Sequence, residues 1–263
     1  MKPDVPAARP AGRDAGLVPC FPEQGHDVLR SLRDGHFWFT HRRRCILESA
    51  QACLGGRSQA RVLEFGCGDG HLVEALSERW LAFGLERRLT DLLLTRRAGT
   101  RVVLAEGGAP PFAPSFDLVG LFDVVEHVED DAELLARAAG LALPGGWILV
   151  TVPADPRLWS SLDEYAGHLR RYTRAAVFDL FARAGLEPIR VVPLFRLLWP
   201  LGRLRARLFG RRPVERPEDE YRVSTVTNRA LAALLRLERA VAGGSERGAG
   251  TSWLALGRAR GNA

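Results

Sequence analysis

Between residues 60 and 190 the apolar positions switch repeatedly between short continuous runs and a helical spacing. RVLEF (61–65), LAFGLE (81–86), RVVLAE (101–106), FDLVGLF (116–122), WILVTV (147–152) and EPIRVVPLF (187–195) predict strands. HLVEALSERW (71–80), TDLLLTRRA (90–98), DDAELLARAAGLAL (130–143) and TRAAVFDLFARAGL (173–186) predict the helices between them. Asp130 or Asp131 is the expected N-cap of the third helix, with Pro144-Gly145-Gly146 closing it; Thr173 and Gly185 bracket the fourth. The segment 251–260, TSWLALGRAR, alternates like one more strand. Apolar strands alternating with helices imply a parallel sheet covered on both faces, with ligands bound beyond the carboxyl ends of the strands.

The flanks read differently. Residues 1–23 have the composition of a disordered leader, and 24–59 form an arginine-rich helical segment that could lie over the core as a lid. The core spans 60–190. A helical insertion is expected over 191–250, before a final core strand and tail at 251–263. Within that insertion VVPLFRLLWPLGRLRARLFGRR (191–212) mixes leucines with arginines and suits either an interfacial membrane helix or an inserted helical pair on the core. Pro200 is expected to interrupt its helix.

Charge narrows the picture a little. The net +6 is an arginine excess, since the only lysine is Lys2. That balance permits nucleic acid, anionic lipid or acidic substrates, and equally a plain compositional habit. Cys20, Cys45, Cys53 and Cys67 have no paired metal spacing, so no metal site is expected, and reduced thiols fit a cytoplasmic protein. No apolar run free of charge reaches the roughly 18 residues of a membrane span.

The chemistry-bearing stretch is ARVLEFGCGDGHL (60–72). Gly66, Gly68 and Gly70 stand at alternate positions directly after a strand, with Glu64 at the edge. A dinucleotide loop would place its third small residue at position 71, where this chain has His71. A ligand bearing an amino group or a sulfonium would gain from the carboxylate.

VLEFGCGDGHL resembles motif I of the class I S-adenosylmethionine-dependent methyltransferases, and four further segments follow in the family's order. Glu86 ends the second strand, AEGGAPPFAPSFDLV leads to the fourth, FDLVGLFDVVEHVEDD carries Asp123 and the Glu126-His127 pair, and LALPGGWILVTVPA matches the passage into the fifth. Together they resemble the ubiquinone-biosynthesis-like branch. GHLRRYT and HFWFTHRRR resemble a bacterial subgroup tied to envelope glycan or lipid pathways. The resemblance implies a Rossmann-like, doubly wound α/β fold with a seven-stranded, mostly parallel sheet. It also implies S-adenosylmethionine as cofactor, bound by Glu64, Gly66, Cys67, Gly68, Gly70, Glu86, Glu106, Gly107 and Asp123.

For the acceptor, the polar segment 153–173 at a strand's carboxyl end supplies His168 or Tyr172 as a base, with His127 as a third candidate. Arg43, Arg170 and Arg171 could bind an anionic group, and Trp38 could close over the site. The alternatives are a solvated helix start with Tyr172 packed beneath, and Phe37, Trp38 and Phe39 as core anchors. The expected reaction is methyl transfer by in-line displacement to a small or lipid- or glycan-linked, anionic acceptor, with peripheral contact at the inner membrane face through 191–212. An RNA methyltransferase and a non-catalytic cofactor-binding protein are the alternatives. Nucleic acid is disfavoured because no stacking-aromatic motif or separate RNA module is visible.

Overall fold

A computed structural model describes residues 30–88, 101–105, 112–209, 222–242 and 244–260. Its strands are β1 (Arg61–Phe65), β2 (Leu81–Glu86), β3 (Arg101–Leu104), β4 (Phe116–Phe122), β5 (Ala142–Pro153), β6 (Glu187–Leu194) and β7 (Ser252–Arg258). The helices are α1 (Phe37–Leu54), α2 (His71–Ser77), α3 (Asp131–Ala139), α4 (Ser161–Ala166), α5 (Arg174–Arg183), α6 (Trp199–Phe209) and α7 (Thr225–Ala242).

The seven strands form one sheet in the order β3-β2-β1-β4-β5-β7-β6. β1 to β5 run parallel, while β7 is antiparallel to both β5 and β6. The expected doubly wound α/β architecture is what forms. Because β1 pairs with β2 on one side and β4 on the other, the strand order reverses at β1, and a crevice opens beyond its carboxyl end.

Successive residues of a strand face opposite sides, so each face of the sheet has its own core. Leu63, Leu121, Ile148, Val150 and Val152 pack with Leu135, Ala138, Val177, Leu180 and Phe181 of α3 and α5. Val62, Leu118, Leu149 and Leu254 pack with Ile46, Ala50 and Leu54 of α1, Val73 and Leu76 of α2, and Leu235 of α7. The N-terminal helix therefore completes one half of the interior. Its Trp38 ring stacks on Phe195 at 3.7 Å between centroids and 3° between planes, so it is a core anchor and is not available to close over a ligand.

Asp130 caps α3, its Oδ1 accepting the Glu133 N–H at 2.9 Å. That helix stops at Gly140, however, and Pro144-Gly145-Gly146 lie within an irregular early part of β5, which starts five residues sooner than expected. Pro200 does not interrupt a helix. α6 begins at Trp199, so the proline falls in the first turn, where no intrahelical N–H bond is needed. The expected helix at 90–98 and the turn before β4 lie wholly or mainly outside the described residues.

Candidate active site

The glycine turn owes its shape to backbone angles that side chains resist. Gly66, Gly68 and Gly70 have φ of 77°, 52° and 73°. At Gly66 a Cβ would also sit 2.9 Å from Val124 Cγ2. The Gly66 and Cys67 N–H groups donate to Leu85 O at 2.8 and 3.1 Å, which ties the turn to the end of β2. Cys67 is buried against Gly84, where a Cβ would lie 2.6 Å from its sulfur, and burial raises its thiol far above the ordinary range. It is a packing group in the turn.

Three carboxylates ring this turn. Glu64 is 5% exposed and its Oε2 has no partner. Burial pushes its carboxyl well above the usual range; Arg42 offsets part of this, while Asp69 and Glu86 add to it. A buried carboxylate with an orphan oxygen favours a cationic donor brought to it. Glu86 accepts the Gly68 N–H at 2.7 Å through Oε2, and the Arg87 and Arg88 N–H groups at 2.7 and 2.9 Å through Oε1. Each oxygen has two lone pairs, so Oε2 can still receive a ligand hydroxyl. Asp123, at φ 58°, is held by Thr151 Oγ1 at 2.9 Å and pairs with Arg42 at 2.7 Å. These features fit an amino- and hydroxyl-bearing nucleoside such as S-adenosylmethionine. Glu106 and Gly107 lie outside the described residues.

Helix α1 and the residues before it reach this ring through arginines. Arg33 pairs with Asp69, Arg43 meets His71 Nε2 at 2.9 Å, and Arg42 spans Asp123 and Thr151. Burial, then Arg33 and Arg43, lower the His71 pKa. Sequence reasoning chose Arg43 and missed Arg42. The signal was present: Arg42 lies four residues after Trp38 and four before Ile46, on the helix face that meets the sheet.

On the other side of the crevice a second group gathers after β4 and β5. His168 Nδ1 lies 2.9 Å from Asp163 Oδ1, and its Nε2 lies 3.9 Å from Glu126 Oε1. Burial alone would raise the Asp163 carboxyl, but bonds from His168 and Arg171 outweigh it and hold it below the usual range. Glu126 is fully buried with neither oxygen partnered, and burial followed by Asp123 pushes it well up. The His127 ring packs edge-on to His168 at 4.9 Å and its Nδ1 is 3.3 Å from Gly167 O; burial and then His168 lower its pKa to about 4. Glu126, His127 and His168 each offer one atom within 4.8 Å of the others, a set that could hold a cation although no metal site was expected.

The remaining expected residues face inward. The Tyr172 hydroxyl donates to Asp131 Oδ2 at 2.9 Å, and burial, then Asp131, drive its pKa far up. A phenol so held cannot collect a proton at neutral pH, which corrects its assignment as a base. Arg170 donates to the Val128 and Glu129 carbonyls and pairs with Asp131 at 3.1 Å. Arg171 donates to Asp163 at 2.7 Å and to Ala154 O at 3.1 Å. Both guanidinium groups fasten one loop to another, so they are not free anion receptors. A cavity of about 420 Å³ lined by His41, Cys45, Val192, Leu194 and Arg239 lies between α1, α7 and β6, and includes none of these residues.

A family model described as a methyltransferase domain matches residues 38–191. A "Probable S-adenosylmethionine-dependent methyltransferase" of Mycolicibacterium smegmatis is 27% identical over 184 residues, covering 66% of this chain and 68% of that protein. The ubiquinone biosynthesis O-methyltransferase of Leptothrix cholodnii is 30% identical over 177 residues, covering 56% and 74%. The enzyme of the same name from Bordetella avium matches at 32% over 121 residues, 42% of this chain and only 50% of that one. The solved structure of a SAM-dependent methyltransferase from Archaeoglobus fulgidus superposes with a TM-score of 0.54 at 15% identity, covering 88% and 97%, a likeness of fold.

Proposed function

The chain belongs to the methyltransferase-domain family, and we propose that it methylates a hydroxyl of a small, lipid-linked acceptor carrying an anionic group. S-adenosylmethionine is its methyl donor. Glu64 would take the donor's amino group, Glu86 its ribose hydroxyls, and the backbone at Gly66, Gly68 and Gly70 its close-lying atoms. Arg42, poised between Asp123 and Thr151, would meet its carboxylate. Bound there, the donor supplies an electrophilic methyl on a sulfonium.

What the chain must add is a nucleophile held in line, at about 3–3.5 Å, and relieved of its proton. The single observation that carries the reading is the Asp163–His168 pair. Asp163 engages Nδ1, which leaves Nε2, 3.9 Å from Glu126, as the atom that would take the acceptor's proton. His127 packs edge-on to the same ring and limits its rotation. A base is needed for a hydroxyl, and the related ubiquinone enzymes are named as O-methyltransferases. Arg43, which meets the His71 ring, would supply positive charge to an anionic acceptor, since Arg170 and Arg171 are spent on loop contacts and Arg42 is assigned to the donor.

The test is single-turnover methylation of candidate phenolic and polyprenyl-phosphate acceptors by the wild type and by His168→Ala, beside calorimetry with adenosylhomocysteine. Lost turnover with intact binding is the expected outcome. Equal turnover in the variant would end the assignment.

A further inference from the structure

α6 is built the wrong way round for a helix whose only task is to pack. Its protein side is made by Trp199, Gly202 and Arg203. Trp199 Nε1 donates to Asp155 Oδ2 at 2.8 Å, Arg203 donates to Arg157 O at 3.1 Å, and a Cβ on Gly202 would lie 3.2 Å from Leu158. Its leucines point away. Leu201, Leu204 and Leu208 are 59%, 54% and 62% exposed, and Leu197 in the turn before the helix is 42% exposed. The spacing of four, three and four puts all of them on one stripe. Single exposed leucines are ordinary, whereas an aligned set marks a surface that something covers.

Charge decides what that something is. Helical spacing places Arg205 on one flank of the stripe and Arg207 on the other, and both are exposed. No acidic residue occurs from 191 to 212, and Arg211 and Arg212 follow in sequence. A second copy docking stripe to stripe would set like charges along the two flanks against one another. Anionic headgroups meet the same pattern well, because the apolar stripe enters the acyl boundary while the flanking guanidinium groups stay at phosphate level. No helix among the described residues is long and apolar enough to cross a membrane, so the mode would be docking on the surface.

We propose that α6 is a membrane-docking helix that lays Leu197, Leu201, Leu204 and Leu208 into the headgroup boundary of an anionic bilayer. Its inner side is fastened to Asp155 and Arg157, in the loop that leaves β5 toward Asp163 and His168. Docking there would hold the acceptor side of the crevice at the lipid surface. As an account of acceptor delivery this rests on the function proposed above, while the docking itself rests on α6 alone.

The experiment is co-sedimentation of the purified full chain with phosphatidylcholine vesicles, with and without phosphatidylglycerol, at low and high salt. Binding is expected only with phosphatidylglycerol and is expected to weaken with salt. The double variant Leu201→Glu, Leu204→Glu should bind at least about tenfold more weakly, with its adenosylhomocysteine affinity unchanged as proof of folding. The inference is overturned if the wild type ignores anionic vesicles or the double variant binds them fully. It is equally overturned if sedimentation equilibrium finds a dimer that the double variant dissolves. Vesicle binding that survives His168→Ala while methylation is lost would separate this claim from the assignment of the base.

Discussion

The two walls of the crevice are made in different ways. The wall at residues 64–70 and 86 is a backbone structure: three left-handed glycines, N–H groups pinned to Leu85, and carboxylates at strand ends. The wall at 126–172 is a side-chain structure, in which Glu126 and His127 of one turn meet Asp163 of α4 and His168 of the loop after it. A backbone wall is specified locally, by which residues tolerate the angles. A side-chain wall also needs partners far apart in the chain, as His127 and Gly167 are at a separation of 40 residues. Losses on the first should appear as cofactor affinity, and losses on the second as turnover.

The largest expected effect tests that division directly. His168→Ala should lower single-turnover methylation by about 10²–10⁴-fold, the usual worth of a positioned base, and leave adenosylhomocysteine binding as it was. A matching loss of binding would erase the distinction. On the opposite wall, Gly66→Ala forces a Cβ toward Val124 at an unfavourable φ. With roughly 1–3 kcal/mol of backbone strain it should weaken adenosylhomocysteine binding by about 10–100-fold in calorimetry.

A third variant shows where the second wall ends and its scaffold begins. Asp131 is 2% exposed and holds Tyr172, Arg170 and Arg183. Asp131→Asn should cost about 1–2 kcal/mol, since the arginines it releases are partly solvated, and lower Tm by roughly 2–8 °C in a chain of this size. Turnover of the folded fraction should hold. A selective loss of turnover would return Tyr172 to the chemistry.

The smallest effect is one of pH. Glu126 has a folded pKa raised by burial, so its contribution is complete below the ordinary carboxylate value and is lost as pH climbs through the raised one. Glu126→Gln should therefore gain a few degrees of Tm at pH 8 and little at pH 4, by differential scanning fluorimetry. His127 has the opposite sign: its pKa falls from 6.5 to about 4, so stability drops as pH descends through that window. A lowered Tm for Glu126→Gln at pH 8 would instead point to a cation held by Glu126 with His127 and His168.

Legibility in the sequence followed the same line. The strand–helix alternation and the 66–70 turn were readable because periodicity and glycine placement are local. Strand ends were less so: β5 begins five residues early because Pro144-Gly145-Gly146 pair irregularly instead of closing a helix. On the acceptor side the polar segment pointed to the right loop, yet spacing could not say which of its groups stay free. Tyr172 is taken by a carboxylate 41 residues away, and Arg170 by carbonyls at a similar remove. Arg42 was distinguishable from Arg43 only by the face of α1 that meets the sheet.

The place of β7 carries a consequence for the chain's birth. It wedges between β5 and β6, hydrogen-bonding to both, although α6, residues 210–221 and α7 are all made before it. As the polypeptide leaves the ribosome, β5 and β6 must wait with bare edges for the strand that joins them. A stop codon anywhere before Ser252 would leave those edges open permanently, and the shortened product would be prey for chaperones and proteases instead of a weakened enzyme.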